Sequence, residues 1–133
     1  MVGLYWYPDF LRVKVPEPRK PLPYDRDALI AKCDGDAALL HQVIGLFLGD
    51  FETQLVTLQS ALRNADIERL YSITHSIKGS VSYFSAARAV AAAQEIEACC
   101  RRGDLPGAVP GVVELSDALQ ELAAALRHDP AAA

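Results

Sequence analysis

From Leu40 onward apolar residues recur at steps of three and four, at Leu40, Ile44, Phe47, Phe51, Leu55, Leu58 and Leu62. That spacing lays one stripe along a helix running from about Asp36 to Asn64. A shorter helical pattern precedes it, around Asp25 to Lys32, and Asp34-Gly35-Asp36 separates the two. Asp66 can accept a bond from the unpaired amides of a first turn and so starts another helix, whose core side is Leu70, Ile73, Thr74, Ile77, Val81 and Phe84. A further helix from about Ser85 to Arg102 places Ala89, Ala93, Ile96 and Cys100 on one stripe and stops at Gly103-Asp104. The last, from near Ala108 to His128, steps through Val112, Leu115, Leu119, Leu122 and Leu126. Amphipathic helices of this kind, joined by short turns, bury their stripes most simply as an antiparallel four-helix bundle with a short extra helix at its start. The fold class is all-α, and nothing in the pattern requires a sheet.

Residues 1–23 do not share this periodicity. Tyr5, Trp6, Tyr7 and Phe10 cluster early, and Pro16, Pro18, Pro21 and Pro23 follow in quick succession. The proline run cannot sustain a helix and should be extended, as a linker or a strap along the domain. The aromatic cluster has three readings: it docks on the chain's own bundle, pairs with a partner, or derives from an upstream domain. Residues 1–23 are thus an appendage and residues 24–133 the bundle.

At 133 residues the chain can bury one core and is too short for two ordinary domains. A formal net charge of -4 supplies no general attraction to nucleic acid or an anionic membrane, so phosphate chemistry would have to be local. The chain lacks both an unbroken apolar run of the roughly 18 to 20 residues that a membrane span needs and the order of a secretory signal, and reads as cytoplasmic. Cys33, Cys99 and Cys100 are odd in number, and the adjacent pair suits neither a structural bridge nor a metal site, so all three are expected as free thiols.

Chemistry concentrates around His75. On a helical projection Lys78, Gly79, Ser82, Tyr71, Ser72 and Glu68 share its direction, while the apolar side of the same helix points away, so His75 should be exposed. An exposed imidazole, titrating near pH 6.5 when free, offers a neutral nitrogen at cytoplasmic pH without special activation. Lys78 lies one turn along, where its ammonium could offset developing negative charge. Gly79 is on the same face, and a glycine within a helix costs on the order of 1 kcal/mol relative to alanine, so steric access for a partner is a reason for it to be there. Each of these residues alone is an ordinary solvated surface residue or tolerated defect. The three on one polar face are harder to dismiss.

Thr74-His75-Ser76-Ile77-Lys78-Gly79-Ser80 resembles the signature of histidine phosphotransfer domains: a small residue before the active histidine, then a hydrophobic-Lys-Gly-Ser run. The resemblance extends over roughly Asp25 to Arg127, including the Gly-Asp break, Leu46 to Leu48 and the segment from Glu97 to Asp104. Two positions depart from the family pattern. Thr74 stands where alanine is common, and Ser85 where a second glycine usually begins the next helix; Ser85 could serve as that helix's cap.

The resemblance implies that His75 takes a phosphoryl group from the aspartate of one receiver domain and gives it to another. Lys78 would stabilise the phosphate and Gly79 give clearance, with Ser82, Ser80 and Ser72 around the site. Tyr71 and Tyr83, with Phe84 as a candidate more suited to the core, would edge an apolar docking patch, and Arg88 could add positive charge. The partners would be receiver domains of a hybrid sensor kinase or a response regulator. The domain would have no cofactor of its own, magnesium belonging to the receiver, no autokinase activity, and a monomeric state. Two rivals are weaker. A phosphorylation-incompetent adaptor bundle does not account for the intact His75-Lys78-Gly79 set, and a metal or haem bundle would have only His41, His75 and His128, on separate helices without a Glu-x-x-His pair.

Overall fold

A computed structural model describes residues 21–132 of the chain, and Tyr5, Trp6, Tyr7, Phe10, Pro16 and Pro18 lie outside them. Five helices follow in order: α1 (Arg26–Lys32), α2 (Ala37–Arg63), α3 (Ile67–Tyr83), α4 (Ala87–Arg101) and α5 (Leu105–Arg127), with a 3-10 turn at Pro130–Ala132. Four of them start on an aspartate. Asp25, Asp36, Asp66 and Asp104 turn their carboxylates onto first-turn amides at Ala28, at Ala38 and Leu39, at Arg69 and at Gly107. Such a cap is worth about 0.5–2 kcal/mol over alanine. α5 begins three residues ahead of the expected Ala108, because Asp104 caps it and Pro106 sits in its first turn, where a missing N–H costs nothing.

Helix ends follow one design. The chain leaves α1, α2, α3 and α4 through Asp34, Ala65, Ser85 and Gly103, all in the left-handed region with φ of 51°, 52°, 52° and 67°. After α3, for example, the Ser85 amide donates to the Ser82 carbonyl at 3.0 Å and the Ala86 amide to Val81 at 3.1 Å. These paired bonds are the Schellman arrangement, which satisfies otherwise orphaned carbonyls. Ser85 therefore closes α3 instead of capping α4, whose cap position is Ala86 and has no side-chain bond. Its positive φ is the physical reason glycine suits this position.

α2 to α5 form a closed ring of neighbours, α2 against α3, α3 against α4, α4 against α5 and α5 against α2. The interior is filled by Leu40, Ile44, Phe47, Phe51 and Leu58 of α2, Leu70, Ile77 and Val81 of α3, Ile96 of α4, and Val112, Leu115, Leu119, Leu122 and Leu126 of α5. The stripe expected on α4 holds at Ala89, Ala93 and Ile96, but at its end Cys99 is buried and Cys100 only half-buried; Cys33, Cys99 and Cys100 are all free. Phe84 belongs to the core, meeting the Phe47 ring edge-on with centroids 5.3 Å apart. At Gly111 an added Cβ would lie 2.8 Å from Ile96 Cγ1, so this glycine sets how closely α5 approaches α4.

The two ends of the described chain are tied together at one end of the bundle. The buried Asp129 accepts from the Tyr24 hydroxyl at 2.5 Å and from Arg26 Nε at 2.9 Å, and also receives the Ala131 amide. His41 Nδ1 lies 2.7 Å from the Ala131 carbonyl, fixing the C-terminal turn to the start of α2. Burial pushes the Asp129 carboxyl up, but Arg26 and Tyr24 outweigh it and hold the carboxyl below its usual range.

Because the folded state depresses this carboxyl, its contribution is complete above the unfolded value of about 3.9 and is lost as pH falls through the lower folded value. Asp129→Asn should cost about 1–3 kcal/mol in denaturant melts at pH 7. The gap to the wild type should narrow below roughly pH 4. Ser85→Gly should stabilise the domain by about 1 kcal/mol in the same melts, by relieving the left-handed backbone.

Candidate functional site

His75 stands in the middle of α3 with its side chain 64% exposed, as the projection of that helix requires. Thr74, Ile77 and Val81 are fully buried on the opposite side. The ring of Tyr71, one turn earlier, lies nearly parallel to the imidazole, with centroids 6.2 Å apart and 10° between planes. Gly79, one turn later, is exposed, and a Cβ there would meet nothing within 4 Å. The fold itself therefore makes no demand for glycine at that position.

The residue that organises the site comes from α4. Glu97 has its side chain only 2% exposed, and both carboxylate oxygens are engaged. Oε1 lies 3.4 Å from His75 Nδ1; Oε2 accepts from Lys78 Nζ at 2.9 Å and from Arg101 Nη2 at 3.5 Å. Arg101 also reaches the Tyr71 hydroxyl at 3.3 Å and lies over its ring. Desolvation raises the Glu97 carboxyl, but Lys78 first and then His75 more than compensate, leaving it below the ordinary carboxylate range and ionised.

The chemistry follows from what each atom can do. A carboxylate only accepts, so in the neutral ring the hydrogen facing Glu97 is on Nδ1 and the lone pair is on Nε2. Lys78 and Arg101 bring two cations to the face of His75, balanced by the buried Glu97 that both contact and by Glu68 on the same face. The Lys78 ammonium is already held by this buried acid.

Other expected neighbours are dispersed. Ser72 and Ser82 are exposed on α3. Ser80 donates to the Ser76 carbonyl and lines a groove toward α2. Tyr83 faces α1, where it meets Lys32 and Cys33. Arg88 is paired with Glu114 and Glu121 of α5, and it precedes Glu97 on α4 by roughly 13 Å of helix rise. Glu97 and Arg101 were not singled out from sequence. The available signal was positional: Glu97 falls on the stripe defined by Ala89, Ala93 and Ile96, where an acid has no reason to be unless it is paired.

An exposed imidazole oriented by a buried acid, on an open helical face, defines an acceptor surface and not an enclosed pocket. Among the described residues no three His, Cys, Asp or Glu side chains group as a metal site, and no helix is long and apolar enough to cross a membrane. The family model described as Hpt domain matches residues 42–125, more than half of the chain. Two solved structures share the fold. Histidine-containing phosphotransfer protein B from Pseudomonas aeruginosa aligns with a TM-score of 0.74 at 23% identity, over 80% of this chain and 92% of that one. The HPT domain of a sensor hybrid histidine kinase from Shewanella aligns with a TM-score of 0.71 at 21% identity, over 79% and 91%. Comparison with curated proteins yields no match. The chain belongs to the Hpt domain family, and its function is histidine phosphotransfer in two-component signalling, with receiver domains as the family's partners.

Glu97→Ala should move neutral His75 from an Nδ1-protonated ring toward the tautomer mixture of free imidazole, read from its ring nitrogen shifts. Glu97→Gln, which keeps an acceptor, should retain more of the original tautomer.

Proposed function

We propose that Nε2 of His75 is the atom that takes up and passes on the phosphoryl group. The observation that carries this is the contact between Glu97 and Nδ1, which leaves the nucleophilic lone pair on the opposite nitrogen of an exposed ring. Nε2 attacks the phosphorus of a receiver's aspartyl phosphate; the N–P bond forms, the O–P bond breaks, and the aspartate leaves as a carboxylate. The hydrogen stays on Nδ1, and Glu97 offsets the positive charge that the ring acquires. Transfer to a second receiver reverses these steps.

Lys78 and Arg101 lie where they can meet phosphoryl oxygens, and Lys78 also steadies the buried acid that orients the ring. Gly79 keeps the approach open; the absence of any internal demand for glycine there supports this role. The domain works without a cofactor of its own, with magnesium supplied by the receiver, as a cytoplasmic monomer. Tyr71, stacked on His75, is the aromatic residue of this group nearest the acceptor.

Incubation with a phosphorylated receiver should place an acid-labile, alkali-stable label on the chain. Label persisting after His75→Gln, or none on wild type with several competent receivers, would overturn the assignment. Lys78→Ala should slow transfer by about tenfold or more, equivalent to at least about 1.4 kcal/mol in the barrier. It should also cost some fold stability, since Glu97 loses its shortest contact. Gly79→Ala should raise helix stability by about 1 kcal/mol yet slow transfer, a pairing that only an external steric role predicts.

A further inference from the structure

The two carboxylate oxygens of Glu97 have separate partners. Oε2 takes both cations, Lys78 and Arg101, while Oε1 faces His75 Nδ1 at 3.4 Å. A bridging water needs two hydrogen-bond lengths, so none fits across that contact. The acid behind it is 2% exposed, whereas the ring as a whole is 64% exposed. Nδ1 is thus closed off by an acid while the rest of the imidazole meets solvent.

This asymmetry matters most once Nε2 carries the phosphoryl group, the role proposed above and the one on which this inference rests. With its hydrogen kept on Nδ1 the phosphorylated ring is cationic, and breaking the N–P bond returns the electron pair to Nε2 and releases a neutral imidazole. With that hydrogen lost to solvent, the same cleavage must expel an imidazolate, a far poorer leaving group. The acid lability of phosphohistidine is this difference, and an imidazole in water exchanges such a proton around neutrality. The incoming phosphoryl oxygens also compete with Oε2 for Lys78 and Arg101, which leaves more of the Glu97 charge for Nδ1–H. On the same side of the ring, Glu68 and Tyr71 of α3 share a cleft with Cys100 and Arg101 of α4, and Glu68 has the sign of Glu97. α2 turns Asp50 to the groove beside Ser80 and Tyr83, and α1 reaches α3 through Lys32 at the Tyr83 carbonyl.

We propose that Glu97 keeps the Nδ1 proton on the phosphorylated ring and so makes this domain a labile carrier, ready to discharge at neutral and mildly alkaline pH. Glu97 is a positioning residue in this, since it acts through the ring. A receiver's aspartate takes the phosphoryl group from a ring that already holds its proton. Without a receiver, water attacks phosphorus, the N–P bond breaks, and the neutral ring and dihydrogen phosphate result.

The test charges the full-length chain from a receiver domain loaded with acetyl phosphate, removes the receiver, and follows loss of label against pH. The same phosphoprotein unfolded in urea is the reference. Loss slows as pH rises through the Nδ1 titration, and the midpoint for the folded wild type should lie about one pH unit or more above that of the unfolded chain. Glu97→Gln should remove most of that displacement and lengthen the lifetime near about pH 9 by about tenfold. Lys78→Ala, which leaves the carboxylate less neutralised, should move the midpoint further up. A general loosening of the site would shift both variants the same way. A wild-type midpoint no higher than that of the unfolded chain, a midpoint unmoved by Glu97→Gln, or two variants shifted in the same direction would overturn the proposal. Phosphorus NMR separates this from the acceptor assignment, because a phosphoryl group on Nε2 couples to two ring hydrogens and one on Nδ1 to a single hydrogen. A single coupling overturns the choice of Nε2 and this inference with it; two couplings with a profile like that of the unfolded chain overturn the role of Glu97 alone.

Discussion

The Glu97 carboxylate is buried between α3 and α4, where an uncompensated charge would cost several kcal/mol, and it stays ionised because Lys78, His75 and Arg101 surround it. That one constraint links the two halves of the site. An acid in this position needs donors, and the donors within reach are the imidazole that must be oriented and the cation beside it. The orientation of His75 is thereby set by core packing, although the ring itself remains open to water. Lys78 becomes a shared resource, held by the protein while also presented to a partner.

Much of this arrangement could be read from the chain. Steps of three and four located the long helices to within a few residues, since amphipathic stripes survive whatever the loops do. Asp66 marked a helix start, because a side-chain acceptor at that position has a local physical effect, whereas Asp104 read as the end of one helix and proved to be the cap of the next. Exposure of His75 followed from the apolar positions on the other side of its own helix. What the periodicity could not show was the register between helices. Glu97 is twenty-two residues from His75, and only the packing of α3 on α4 brings them together. The same gap explains Arg88, which lies near the site in sequence order but is turned to Glu114 and Glu121. The role of Ser85 was missed for a different reason: a serine before a helix reads as a cap unless the backbone sign is known.

Three of the four left-handed helix ends carry a residue other than glycine. Each such position costs about 1–2 kcal/mol relative to glycine, so the turns of this bundle are held by the packing of the helices they join more than by their own preference. The knot of Tyr24, Arg26 and Asp129 acts in the opposite sense, adding strong local bonds where the bundle would otherwise fray.

The close approach at Gly111 has a reach beyond packing. Gly111 of α5 touches Ile96, Ile96 adjoins Glu97, and Glu97 holds His75. A helix with no atom at the acceptor thus acts as the rear stop of its alignment, and one added methyl group on the far side of the core would be felt as a mis-aimed lone pair.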